Sequence, residues 1–290
     1  MAFVREPVPT RGVPLDVIEG VRRIVAFNPS VMTYHGTNTF LIDDDEAGIT
    51  VLDPGPADHA HIAAVLAASS GRIRRILISH SHSDHSGAAN ALREVSGAPI
   101  FAWHGNNNPH FVTDYGLRDG DVVAGLAVIY TPGHAADHIC FERSGGVAFT
   151  ADHVMGWASS IVNPPDGNMA NYCDSLEKML RFDHRIYLCG HGPVLVDPHT
   201  HVRSLLEHRL RREREIALAV AAAPANSHDL MERLYSKIDP LLKRAAERNV
   251  MAHLIKMENE GKVRPHGNLW HWIEDTIIEQ DGHGGEYLLK

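Results

Sequence analysis

Ile76-Leu77-Ile78-Ser79-His80-Ser81-His82-Ser83-Asp84-His85-Ser86-Gly87-Ala88 is the stretch that decides how this chain is read. Ile76, Leu77 and Ile78 form the short apolar run of a buried strand. Three histidines and an aspartate then fall within six positions, and Gly87 with the alanines after it opens a helix that runs to about Val95. A strand that ends in such a loop gathers imidazoles and a carboxylate around one point. Zinc favours both ligand types, and a hydrolytic zinc site keeps one position open for water. The competing reading is a histidine-rich surface loop, since the chain carries 21 His. Scattered histidines seldom reproduce this spacing directly behind a buried strand.

His80-x-His82-x-Asp84-His85 resembles the signature of the metallo-beta-lactamase superfamily. That pattern continues with His, Asp and His in order. The chain supplies His134 in Thr131-Pro132-Gly133-His134, Asp152 in Thr150-Ala151-Asp152, and His191 in Gly190-His191-Gly192-Pro193. Each follows an apolar run, and the resemblance covers nearly the whole chain. It implies a four-layer αββα sandwich of the α/β (α+β) class. Strand and helix order alone also allows a doubly wound α/β sheet. By the superfamily pattern, His80, His82 and His134 hold a first zinc, Asp84, His85 and His191 a second, and Asp152 bridges them. The implied activity is a dinuclear zinc-dependent hydrolase whose metal-bridging hydroxide attacks an ester, thioester or phosphodiester, with Fe or Mn as other occupants. Asp84 has two readings, a ligand and nothing more, or the catalytic carboxylate that orients the nucleophile and takes its proton.

Composition fits a soluble enzyme: 290 residues, 44% hydrophobic and 22% charged. No run approaches the about 18 apolar residues that a membrane span needs. Met1–Pro7 lacks a secretory pattern, and the three scattered cysteines Cys140, Cys173 and Cys189 fit reduced thiols in a cytoplasm. Cys189 sits two residues before His191, inside the apolar run Ile186–Cys189, so a buried strand residue is favoured over a ligand. The net charge of −9 lies entirely in residues 1–202, with 13 Lys+Arg against 22 Asp+Glu; residues 203–290 hold 14 against 14. An acidic surface is a poor default for a nucleic-acid backbone. The expected organisation is a catalytic domain over 1–202, a C-terminal domain over 203–276 and a mobile tail over 277–290.

The C-terminal part reads as helices over 201–223, 227–238, 240–248 and 250–260, then a hairpin over 262–272 that turns at His266-Gly267-Asn268. That order is winged-helix-like. It also resembles the small C-terminal domain of the beta-lactamase-like protein 2 branch of the superfamily, in which Gly-His-Gly-Pro likewise runs into an Arg/Glu-rich helix, here Leu205–Glu213. This branch adds single-stranded RNA cleavage as an alternative activity, and a non-catalytic metal- or nucleic-acid-binding protein is a second class. Residues 250–260, with Lys256 against Glu258 and Glu260, make a poor reader of duplex DNA. Leu254, Ile255 and Met257, with Trp270 and Trp272, are instead expected to pack on the catalytic domain or on a second copy in a homodimer. Partners are therefore a small ester or thioester, or single-stranded RNA; duplex DNA and membranes are not expected.

Asp53, at a strand end, either supports the ligand histidines or caps a turn before Pro54. Tyr172 either packs beneath the metal site or touches substrate. Trp157, Ser159, Ser160 and Asn163 either line the pocket or form an ordinary loop. The remaining histidines, among them His35, His61, His110, His208 and His253, read as surface or packing residues. At the position after Asp152 where lactone-hydrolysing members carry tyrosine, this chain has Met155.

Overall fold

Residues 3–44, 48–106, 108, 111–273, 278–280 and 287–289 are described by the computed structural model of the chain. The first half supplies strands β1 (Leu15–Ile18), β2 (Val21–Val25), β3 (Asn38–Asp43) and β4 (Ile49–Leu52). Helix α1 (His59–Ser69), β5 (Ile73–Leu77), the short helix α2 (Ser83–Ser86), α3 (Ala89–Ser96), β6 (Ile100–Trp103) and β7 (Tyr115–Leu117) follow. The seven strands lie side by side in chain order, antiparallel as far as β4 and parallel beyond it. The second sheet collects β8 (Val122–Val123), β9 (Leu126–Tyr130), β10 (Ile139–Arg143), β11 (Val147–Ala151), β12 (Ile186–Cys189) and β13 (Leu195–Val196), with helix α4 (Met169–Met179) between β11 and β12.

Side-chain alternation makes the layers. Phe40, Ile42 and Leu52 point one way and pack with Val128, Phe141, Phe149 and Leu188 of the other sheet. Leu41, Ile49 and Val51 point the other way, onto Val65 of α1 and Ala89 and Leu92 of α3. On the far face of the second sheet, Cys140, Ala148, Tyr187 and Cys189 pack against Tyr172, Leu176 and Met179 of α4. Helix, sheet, sheet, helix is the expected αββα sandwich. Each fully buried Leu, Ile or Phe contributes about 1.5–3 kcal/mol of transfer free energy to it.

Local chemistry sets the helix ends. Asp58 caps α1 by accepting from the His61 amide at 2.8 Å, and Ser70 closes it in the left-handed region at φ 50°. α4 is capped by Asn168. Asn168 is extended at φ −137° and accepts from the Asn171 amide.

Beyond the second sheet run α5 (Pro198–Ala222), α6 (Ser227–Leu234), a 3₁₀ turn at Pro240–Leu242, α7 (Lys243–Asn259) and the hairpin β14 (Val263–His266) and β15 (Leu269–Trp272), with Gly267 at φ 64° in its turn. Two strands, β16 (Ile278–Gln280) and β17 (Tyr287–Leu289), pair with each other; the rest of the expected mobile tail falls outside the described residues. Asn226 caps α6, accepting from the Asp229 amide at 2.8 Å. Two expectations change here. The helices expected over 240–248 and 250–260 are one helix, because Asn249 does not break it: its Oδ1 accepts from the Val162 amide at 2.9 Å, across to the catalytic part. Leu254, Met257 and Trp270 pack within the C-terminal domain, with Ile216, Val220 and Val263, and Ile255 and Trp272 lean on the same cluster. Ala252 is the α7 residue that joins the core beneath α4 and α5. No helix among the described residues is long and apolar enough to cross a membrane.

Candidate metal centre

Five strands end at one place. β4 delivers Asp53, β5 delivers Ser79 and His80, β9 leads to His134, β11 to Asp152 and β12 to Gly190 and His191. Two backbone bonds tie these ends together: the Asn38 amide donates to Gly190 O, and the Ile139 amide to Ser79 O, both at 2.8 Å. β11 finishes in a register shift with Ala151 at φ 41°, which turns Asp152 out of the sheet. All seven predicted residues meet here. The ligand atoms of His80, His82 and His134 lie within 4.8 Å of one another, as do those of His80, His85 and Asp152, and those of Asp84, His85 and His191.

Four of the five histidines have one ring nitrogen hydrogen-bonded and the other turned inward. His80 Nδ1 donates to Ser79 Oγ at 2.9 Å, and that hydroxyl donates to Asp53 Oδ2 at 2.7 Å. His85 Nδ1 donates to the same carboxylate at 2.8 Å, and His134 Nδ1 to Ile161 O at 2.7 Å. His191 Nδ1 faces Gly36 O at 3.3 Å. His82 is turned the other way: its Nε2 lies 3.7 Å from Asp166, while Nδ1 sits 3.0 Å from both His80 Nε2 and His134 Nε2. This is the outer support that fixes tautomer and ring direction in metal sites. Asp53 therefore does what the supporting reading required, and holds two histidines at once.

Burial, reinforced by His85 and His82, pushes His80 well below the ordinary histidine range, and burial with His82 lowers His134 to about 4. Both keep a neutral, donating lone pair at pH 7. At the other end burial also opposes charge on His85 and His191, but Asp152 outweighs it, with Asp84 and Asp53 adding to the effect on His85. His85 rises well above its usual range and His191 to about 9. Burial would raise Asp84 and Asp152, yet the two imidazoliums hold both carboxyls well below the usual range. A cation competes with those two ring protons for the same nitrogens. Asp152 Oδ1 stands 3.3 Å from both His85 Nε2 and His191 Nε2 but is buried without a hydrogen bond. A buried, unsatisfied carboxylate oxygen among converging imidazoles fits a divalent metal.

The remaining candidates separate. Trp157, Ser159 and Asn163 line a cavity that opens onto His82, Asp84, His134, Asp152 and His191. Ser160 instead turns inward, donating to the carbonyls of Asp152 and His153. Tyr172 is wholly buried; its hydroxyl donates to His153 O at 3.0 Å, and the Arg209 guanidinium lies 5.2 Å from its ring centre. Packing is its role. Cys189 is buried in β12, outside the ligand clusters, and burial pushes its thiol up to about 11. His208, expected at the surface or in packing, lines the cavity; His110 lies outside the described residues. Sequence reading missed Arg23 and Asn38, which hold the loop that carries His191: Arg23 Nη1 and Asn38 Nδ2 both donate to Gly192 O. Neither carries a local motif that would have revealed it.

Residues 32–191 match the Metallo-beta-lactamase superfamily and residues 227–272 the Beta-lactamase associated winged helix domain. The Beta-lactamase-like protein 2 homolog of Drosophila melanogaster is 30% identical over 269 residues, covering 84% of this chain and 89% of that protein. An Atrochrysone carboxyl ACP thioesterase of Aspergillus fumigatus is 29% identical over 282 residues, 89% of this chain and 88% of that one. Among solved structures, a Beta-lactamase domain protein from Burkholderia ambifaria shares the fold with a TM-score of 0.80 at 23% identity, covering 92% and 96% of the two chains. Motif, fold, converging ligands and these likenesses agree: the chain is a hydrolase belonging to the metallo-beta-lactamase superfamily, with a beta-lactamase-associated winged helix domain at its C-terminal side.

Proposed function

We propose that the chain is a dinuclear metal hydrolase acting on a small ester or thioester. His80, His82 and His134 would hold one ion, Asp84, His85 and His191 the other, with Asp152 shared between them. The observation that carries this reading is the convergence of five histidines, four of them hydrogen-bonded outward through one nitrogen, on Asp152 Oδ1, which is buried and makes no hydrogen bond. Zinc is the natural occupant of mixed imidazole and carboxylate ligation, and iron or manganese suit it too. When bound, such ions polarise a carbonyl and make a water-derived nucleophile available near neutral pH.

The chain's own groups supply the rest. Asp84 lines the cavity, is 30% exposed and stays ionised, so it is placed to accept a proton from an incoming water. Asp53 and Ser79 keep the His80 and His85 rings from rotating. The cavity, about 710 Å³, suits a small acyl substrate, and one relative is named a thioesterase. The three unpaired, buried cysteines fit a reducing compartment, the cytoplasm. Duplex DNA is not part of this proposal, since the two arginines of α7, Arg244 and Arg248, line the cavity.

Elemental analysis of zinc-replete protein is expected to find two ions per chain; a value that never exceeds one removes the dinuclear assignment. A panel of esters, thioesters and single-stranded RNA, with a chelator control, identifies the class hydrolysed. On the substrate so found, Asp152→Ala is expected to lose at least about a hundredfold in activity while still folding. Wild-type turnover in that variant contradicts the site.

A further inference from the structure

The C-terminal domain also lines the cavity: Ile238, Leu241, Leu242, Arg244 and Arg248 share it with His82, Asp84, His134, Asp152 and His191. Arg244 and Arg248 are four residues apart, one turn on the same face of α7. The other long cations of α7 are occupied. Lys243 pairs with Glu232 at 2.7 Å, and Lys256 with Glu213 and Glu260 at 2.7 and 2.6 Å. Glu247, between the two arginines in sequence, accepts from Ser227 Oγ. Arg209, the third arginine at the cavity, is buried and donates to Ser160 O. Among the described residues, the two arginines of α7 that face the cavity are the two left without a carboxylate or carbonyl partner, and both are exposed.

Much of the remaining cavity lining is apolar. Val31, Met32 and Leu241 are exposed at 40%, 43% and 71%, and all three line this cavity with Trp157 and Ile238. Exposed aliphatic side chains gathered around one cavity mark a surface that an apolar ligand covers. Planar guanidiniums with free donors recognise carboxylate or phosphate oxygens. The cavity thus combines the His/Asp cluster, an apolar lining and a pair of cations.

We infer that Arg244 and Arg248 are specificity-determining residues that grip an oxyanion carried by the acyl substrate, separated from the scissile carbonyl by an apolar segment. The inference rests on the ester and thioester reading above. The oxyanion is a carboxylate at the end of the acyl chain or a phosphate on the thiol side.

Three thioesters of one chain length distinguish these: octanoyl-coenzyme A, with phosphates on the thiol; the N-acetylcysteamine monothioester of octanedioic acid, with a carboxylate on the acyl end; and neutral S-octanoyl-N-acetylcysteamine. The metal-loaded full-length enzyme is compared with the Arg244→Gln/Arg248→Gln double variant. Both positions are exposed, so folding should survive, and equal melting temperatures check this. KM for at least one anionic substrate is expected to rise about tenfold or more in the variant, with kcat little changed and the neutral substrate unaffected. Arg244→Lys/Arg248→Lys should recover part of the loss. Whichever anionic thioester responds identifies the source of the charge. Equal KM shifts for all three, or none, overturn the clamp while leaving the hydrolase reading in place. Failure of the wild type to hydrolyse any of the three, with cleavage of single-stranded RNA instead, overturns both.

Discussion

Gly190 shows how little room the centre leaves. A Cβ there would stand 2.6 Å from Asp152 Oδ1 and 2.7 Å from His85 Cε1, inside any tolerable contact. The backbone cannot retreat, because Gly190 N donates to Ala151 O and Gly190 O accepts from the Asn38 amide, both at 2.8 Å. Gly190→Ala must therefore displace the Asp152 and His85 side chains. The expected outcome is a folded protein, less stable by about 1–3 kcal/mol, with reduced metal content and activity lowered about 10–100-fold. Elemental analysis beside thermal unfolding checks it; a fully loaded, fully active variant contradicts this account of the glycine. The candidate ligands were legible in sequence because they cluster at strand ends, where an apolar run gives way to His or Asp. Their supports were not. Arg23 reaches Gly192 across 169 residues and Asn38 reaches it across 154, and no local pattern encodes such a pairing.

At the scale of elements, apolar runs marked buried strands: Ile186–Cys189 has the expected bounds, and Ile76–Ile78 falls at the end of β5. β1, β7, β8 and β13 escaped because they are the short edge strands of the two sheets, with exposed residues, for which pairing rather than burial makes the strand. α5 and α7 meet through a buried polar set that no periodicity marks. Glu213 accepts from Lys256 Nζ at 2.7 Å and faces His253 Nδ1 at 3.2 Å. Burial opposes ionisation of Glu213, but the bonds to His253 and Lys256 outweigh it, so its carboxyl lies below the ordinary range. Its stabilising contribution is present above the unfolded carboxylate pKa and is lost as pH falls through the folded value. Burial also lowers His253, only partly offset by Glu213, so it folds neutral; its contribution too is complete above the ordinary histidine value, about 6.5, and fades in acid. Both signs agree. Melting temperature followed from pH 7 down to 4.5 is expected to fall, and to fall less steeply in His253→Gln than in the wild type. Parallel curves contradict the assignment of acid lability to this cluster.

For the whole molecule, the decisive fact is that the C-terminal domain closes the catalytic sandwich. Val202 and Leu205 of α5 and Ala252 of α7 share one core with Tyr172, Leu176 and Met179, so the outer face of the second sheet is not finished until α7 is in place. α5 spans both regions without a break: Val202 and Leu205 serve the sandwich, Ile216, Ala217 and Val220 the C-terminal core. Arg209, between them, donates to Ser160 O, and Ser160 in turn holds the carbonyls of Asp152 and His153. The C-terminal domain thus braces the loop that presents Asp152, as well as walling the cavity. A fragment cut at Leu205 would keep all seven candidate ligands yet lose the brace, the wall and the cover over an apolar face. Uncovering several buried aliphatic side chains at about 1.5–3 kcal/mol each is comparable to the whole stability of a domain, about 5–15 kcal/mol. Residues 1–204 expressed alone are therefore expected to be insoluble, or soluble and inactive. Solubility, metal content and turnover of the fragment against the full chain decide it. A soluble fragment with full activity would mean that the sandwich needs neither the brace nor the wall.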